Sequence, residues 1–181
     1  MKDHISSFIT VFVSHLGGVM LGFLAQIIML NPIRMFTQDF STRGLLSFLI
    51  HDIVTFLALY VMLRRTGYSW NRAGERMLPV NCIVYSCASA ILLTAIVLIS
   101  DLGWSFLYLN TSSFLDFLYA ETESTGAAGM LGITTLQEKY YVQTVFVLLM
   151  HTILYIGFML LGYYHGAKKR VAERADMIHK E

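Results

Sequence analysis

The chain has 181 residues, 56% of them apolar and 14% charged, with a formal net charge of +1. A soluble domain of this size carries roughly a quarter charged residues, so this composition and a mean hydropathy of +0.60 point to a membrane protein. The length leaves room for a single helical domain, residues 1–181, and the near-zero charge offers no argument for nucleic acid as a partner.

The first apolar run, residues 5–30, is far longer than the ~7–15 residues of a signal-peptide core, and reads as a retained first span. It is expected to stop at Asn31-Pro32, because proline cannot continue a helix in the ordinary way. Ser14, Gly18, Gly22 and Gln26 recur every four residues and so share a face, with His15 beside it. Gly18 and Gly22 form a small-xxx-small pair suited to close helix packing.

A short loop, residues 32–43, leads to span two, residues 45–63, with Ser41 or Thr42 as its cap. His51 and Asp52 stand side by side in this span, and Thr55 lies one turn from both. The following loop is basic, with Arg64, Arg65, Arg72 and Arg76 against Glu75, and Tyr68 and Trp70 suit an interfacial position.

Span three covers residues 78–100, with Pro79 in its first turn and a small-residue patch at Ser86, Ala88, Ser89 and Ala90. Cys82 and Cys87 diverge by about 140° around its axis and cannot pair with each other. No zinc or secreted disulfide framework is present. The segment 101–139 is acidic, and its first part carries Phe114, Phe117 and Leu118 on one side, the pattern of a short interfacial helix. Span four covers residues 140–164. His151, Tyr155, Phe158, Gly162 and His165 form a stripe on it, and Gly162 and Gly166 repeat the small-xxx-small spacing. The tail, residues 165–181, reads as a helical extension.

Basic residues follow spans two and four and are nearly missing after span three, so both termini are expected in the cytoplasm. The expected architecture is an all-α, antiparallel four-helix transmembrane bundle, with 101–139 as an extracytoplasmic loop and 165–181 as a cytoplasmic tail. The expected location is a bacterial plasma membrane, crossed several times.

Asp52 is the one acidic or basic residue within the four spans. A carboxylate at such a depth costs roughly 2.5–3.5 kcal/mol on insertion scales, so it should face protein or water. Counting inward at ~1.5 Å per residue puts His15 at about 15 Å and His51 and His151 at about 18 Å, near the middle of a ~30 Å core. His15, His51, Asp52 and His151 are therefore the candidate polar cluster.

Three readings compete for it. The cluster can be polar glue, with Ser14, Thr55 and Thr152 adding hydrogen bonds between helices. It can bind a metal cation or relay protons. It can also belong to a b-type haem site, since His151 and His165 lie about 21 Å apart on one face and His4, His15 or His51 would have to supply partners. There is no Walker loop, zinc-peptidase pair or glycine-rich nucleotide fingerprint, and no catalytic residue is assigned. The leading expectation is a non-enzymatic accessory subunit or a small transport-type component. Lipid covers it, and its small-residue faces suggest a homo-oligomer or larger complex.

Overall fold

The computed structural model describes residues 2–38, 40–70, 79–99 and 136–178. These form four helices and no strand: α1 (Lys2–Phe36), α2 (Phe40–Trp70), α3 (Val80–Ile99) and α4 (Leu136–Ile178). Within α1, α2 and α4, the stretches His4–Phe36, Thr42–Trp70 and Val147–Ile178 are long and apolar enough to cross a membrane. The apolar part of α3, Val80–Ile96, is shorter. The interfacial helix expected after span three, and Arg72, Glu75 and Arg76 of the basic loop, lie outside the described residues.

Several boundaries differ from expectation. α1 does not stop at Asn31-Pro32 but runs through Pro32 to Phe36. Proline removes one helical donor, yet the turn beyond it buries Ile33, whose carbonyl accepts from the Thr37 amide at 3.1 Å. α2 starts at Phe40, which places Ser41 and Thr42 within its first turn. Nearby, Arg43 donates to the Gln38 carbonyl at 2.9 Å. α2 also continues past Leu63 to Trp70, because α4 runs beside it and buries Thr66 and Gly67. Pro79 precedes α3, and its carbonyl accepts from the Cys82 amide at 3.0 Å. α4 begins at Leu136, inside the segment expected as loop, and continues without a break through the tail to Ile178.

Consecutive helices alternate in direction, but the neighbours are not those of a simple up-and-down bundle. α1 packs on α2, α2 on α4, α4 on α3 and α3 on α1. The α2–α4 pair is parallel: Asp52 meets His151, Tyr60 meets Gly162, Arg64 meets Gly166 and Tyr68 meets Glu173. α1 and α3 are parallel too, with His4 on Tyr85 and His15 on Ser89. The expectation of a purely antiparallel bundle is corrected accordingly.

Glycines decide these neighbours. A methyl group at Gly162 would fall on the carbonyl oxygen of Tyr60, one at Gly166 on that of Arg64, and one at Gly67 on that of Tyr163. The α2 and α4 backbones therefore approach too closely to admit a Cβ at these positions. Gly18 faces the Leu59 side chain, and Gly22 faces the Thr55 hydroxyl and the His51 backbone carbonyl. All four glycines singled out from the sequence pack inside the chain, so they no longer argue for a homo-oligomer.

Polarity is arranged inside out. His15, Ser47, His51, Thr55, Thr66, Ser86 and Ser89 are buried, while Ile27, Ile53, Leu57, Ile91 and Ile153 are each at least 60% exposed. Soluble monomers do not display apolar surface on this scale. A hydrocarbon environment accounts for it, and the chain has the build of a membrane protein.

Candidate functional site

The cost of a carboxylate among apolar helices is met by two imidazoles. Asp52 projects from α2 toward α4, where His151 Nε2 lies 3.0 Å from Oδ1 and 2.9 Å from Oδ2. His51, the preceding residue on α2, brings its Nδ1 to 3.2 Å from Asp52 Oδ1. The three side chains are nearly enclosed, each between 9% and 14% exposed. Aromatic rings wall the group. Phe23 of α1 lies on His51 at 4.5 Å between ring centroids, and Phe48 meets His151 edge-on at 5.3 Å. Phe56 and Tyr155 close the side toward the basic helix ends.

Local helix geometry fixes the orientation of His151. Its Nδ1 lies 2.7 Å from the carbonyl oxygen of Val147, one turn back. A carbonyl only accepts, so Nδ1 carries a hydrogen. Two arrangements of the remaining proton then satisfy the pair. With the proton on Nε2, an imidazolium donates to a carboxylate. With the proton on Asp52, a carboxylic acid donates to a neutral imidazole. Both keep the hydrogen bonds intact, and both leave the pair without net charge. The centre thus holds one transferable proton between two helices, and His51 supplies a third position for it.

The structure unites His51, Asp52 and His151 and leaves His15 apart. Fully buried, His15 pairs through Nδ1 with Ser89 Oγ of α3 at 3.0 Å. Its ring meets Tyr155 edge-on at 5.3 Å, and Tyr155 in turn stands 5.9 Å from His151. Depth alone placed His15 in the cluster, but its azimuth on α1 directs it to α3. Thr55 does not join His51 to Asp52 either. Its hydroxyl is buried beneath Gly22 with no hydrogen-bond partner among the described residues. Ser14 bonds back to the Thr10 carbonyl of its own helix. Thr152 does bridge helices, meeting Thr94 at 2.9 Å.

Both ring nitrogens of His151 are engaged within the chain, His165 pairs with Tyr60 and His4 with Tyr85. Among the described residues, no group of three or more His, Cys, Asp or Glu side chains is placed to hold a metal ion. Both cysteines are free thiols.

Sequence reasoning missed Ser89 as the partner of His15 and Tyr155 as the ring between two histidines. The small-residue patch on α3 and the stripe on α4 contained both, but neither pattern says which helix a face meets. It also missed the polar knot at the ends of α2 and α4. There Tyr68 donates to Glu173 at 2.6 Å, and the guanidinium of Arg170 donates to the Tyr68 oxygen at 3.2 Å and covers its ring. Comparisons with family models, with curated proteins and with solved structures find no match to this chain.

Proposed function

We propose that the chain is a small transport-type membrane protein that crosses the bilayer four times, with both termini cytoplasmic, and that its His51–Asp52–His151 centre handles protons. The observation that carries this reading is the bidentate approach of His151 to Asp52, which lets one proton sit on either partner without breaking a hydrogen bond. A group designed only to hold helices together needs no titratable pair, since hydroxyl bridges such as Thr94–Thr152 do that already. The orientation is supported by the fold. The ends of α2 and α4 lie together, so Arg64, Arg65, Lys168, Lys169 and Arg170 gather at one end of the molecule. α3, at 20 residues, is about 30 Å long and can complete the fourth crossing.

The second reading is an accessory subunit in which the same three side chains join α2 to α4. Burial of His15 against Ser89 and Tyr155 favours such a structural use of histidine in this chain. Asp52→Asn separates the two. An amide replaces a protonated carboxyl in hydrogen bonding but cannot give up its proton in the working range. Proton flux in liposomes should vanish while the detergent melting temperature stays put. Unchanged flux together with unchanged melting would leave the accessory reading standing and the proton-handling one refuted.

A further inference from the structure

The α2–α4 seam repeats a polar level twice, with an aromatic level in between. On α2, Asp52, Phe56 and Tyr60 stand one turn apart and share a face. On α4, His151, Phe158 and His165 are spaced by seven residues and share a face as well. Asp52 meets His151, and Tyr60 Oη lies 2.9 Å from His165 Nδ1. Between them the rings of Phe56 and Phe158 are stacked, 4.7 Å between centroids and 11° between planes. Because the helices are parallel, the levels fall in the same order on both. The Tyr60–His165 level is the one nearer the basic end, with Arg64 one turn beyond Tyr60 and Lys168 and Lys169 just beyond His165.

A hydroxyl both donates and accepts, and this makes the outer pair competent in two states. With His165 neutral, Tyr60 donates its O–H to the bare Nδ1. With His165 protonated, Nδ1–H donates to the Tyr60 oxygen. The pair therefore takes up or releases a proton while keeping its hydrogen bond. Phenylalanine offers no such group, and a stacked apolar pair excludes the water that would carry a proton past it.

We propose that Tyr60–His165 is a second proton-exchange site, and that the Phe56–Phe158 stack is the gate between it and the His51–Asp52–His151 centre. The inference rests on the proton-handling reading above. In the transfer, His165 takes a proton from a hydronium ion at the basic end, leaving a water molecule behind, and becomes an imidazolium. When the two rings part, water enters and carries that proton to the Asp52–His151 pair. His165 returns to the neutral imidazole, and the inner centre gains one proton and one positive charge. The titratable groups facing the inner pair are His51 from α2 and Tyr155 from α4, with His15 of α1 behind Tyr155. Those facing His165 are Tyr60 from α2 and Tyr164 from its own helix.

The test uses the full chain in liposomes that enclose a pH-sensitive dye, with an imposed pH step. Tyr60→Phe and His165→Gln should each slow the flux by about tenfold or more, the scale of a lost proton donor. Phe158→Ala should raise it several-fold, and Phe158→Leu, which keeps the apolar bulk, should leave it at the wild-type rate. In the double variant His165→Gln/Phe158→Ala the flux should stay above wild type, because water then reaches the inner centre without the outer site. Wild-type flux in both Tyr60→Phe and His165→Gln, with Asp52→Asn inactive, would overturn the second site and leave the parent reading intact. Wild-type flux in Phe158→Ala would overturn the gate, and Phe158→Val serves as the milder opening should the alanine variant fail to fold. Flux that survives Asp52→Asn would remove the parent reading and this inference with it.

Discussion

Loss of Asp52 would leave two ring nitrogens, His51 Nδ1 and His151 Nε2, without the partner they have in the structure. Asp52→Leu should destabilise the protein by about 1–3 kcal/mol for each buried nitrogen orphaned, a loss that Asp52→Asn should largely avoid. Thermal melting in detergent, comparing both variants with wild type, checks the contrast, and equal losses would mean that the amide cannot replace the carboxyl here. His15 offers the complementary case. Ser89→Ala should cost about 1–3 kcal/mol by stripping His15 Nδ1 of its partner. Because His15 stands outside the Asp52 group, the same change should leave proton flux untouched. A flux defect in Ser89→Ala would show that His15 communicates with the inner centre through Tyr155.

At the scale of elements, α2 and α4 are held by backbone proximity as much as by side chains. Gly166 packs against the carbonyl of Arg64 and Gly162 against that of Tyr60, so neither position has space for a β-carbon. Gly166→Ala and Gly162→Ala should each cost about 1–3 kcal/mol, as overpacking does elsewhere, and the Tyr60–His165 and Tyr68–Glu173 bonds should weaken together as the helices part. Gly157 is the internal control on the same helix, with nothing within 4 Å of the place a methyl would occupy. Gly157→Ala should be neutral or stabilising by up to about 1 kcal/mol, because it only improves helix propensity. Melting of the three variants side by side makes the comparison. A Gly157→Ala loss equal to the other two would argue that this face is covered by something other than lipid.

For the whole molecule, the testable statement is topology. In a background with Cys82 and Cys87 replaced, single cysteines at Arg72 and Lys180 should react with an impermeant thiol reagent from the same side, and one at Glu123 from the other. Reaction of Arg72→Cys and Glu123→Cys from one side would overturn the four-crossing arrangement. The ends of α2 and α4 lie together, joined by the Tyr68–Glu173–Arg170 knot.

Hydropathy and charge spacing by themselves determined that this chain is helical and apolar along its spans, with Asp52 as the acid that must find partners. These properties are local: a helix follows from its own hydrogen bonds, and an ionisable group in hydrocarbon is costly whatever surrounds it. The same reasoning made His51 and His151 legible as companions of Asp52, one by adjacency and the other by depth. Only the tertiary structure decided that α2 lies parallel to α4, that Ser89 takes His15, and that Tyr60 takes His165. Sequence periodicity gives the face of a helix but not the neighbour that face meets. That choice follows from where backbones can approach most closely, which here is set by Gly18, Gly22, Gly67, Gly162 and Gly166 acting in pairs of helices at once.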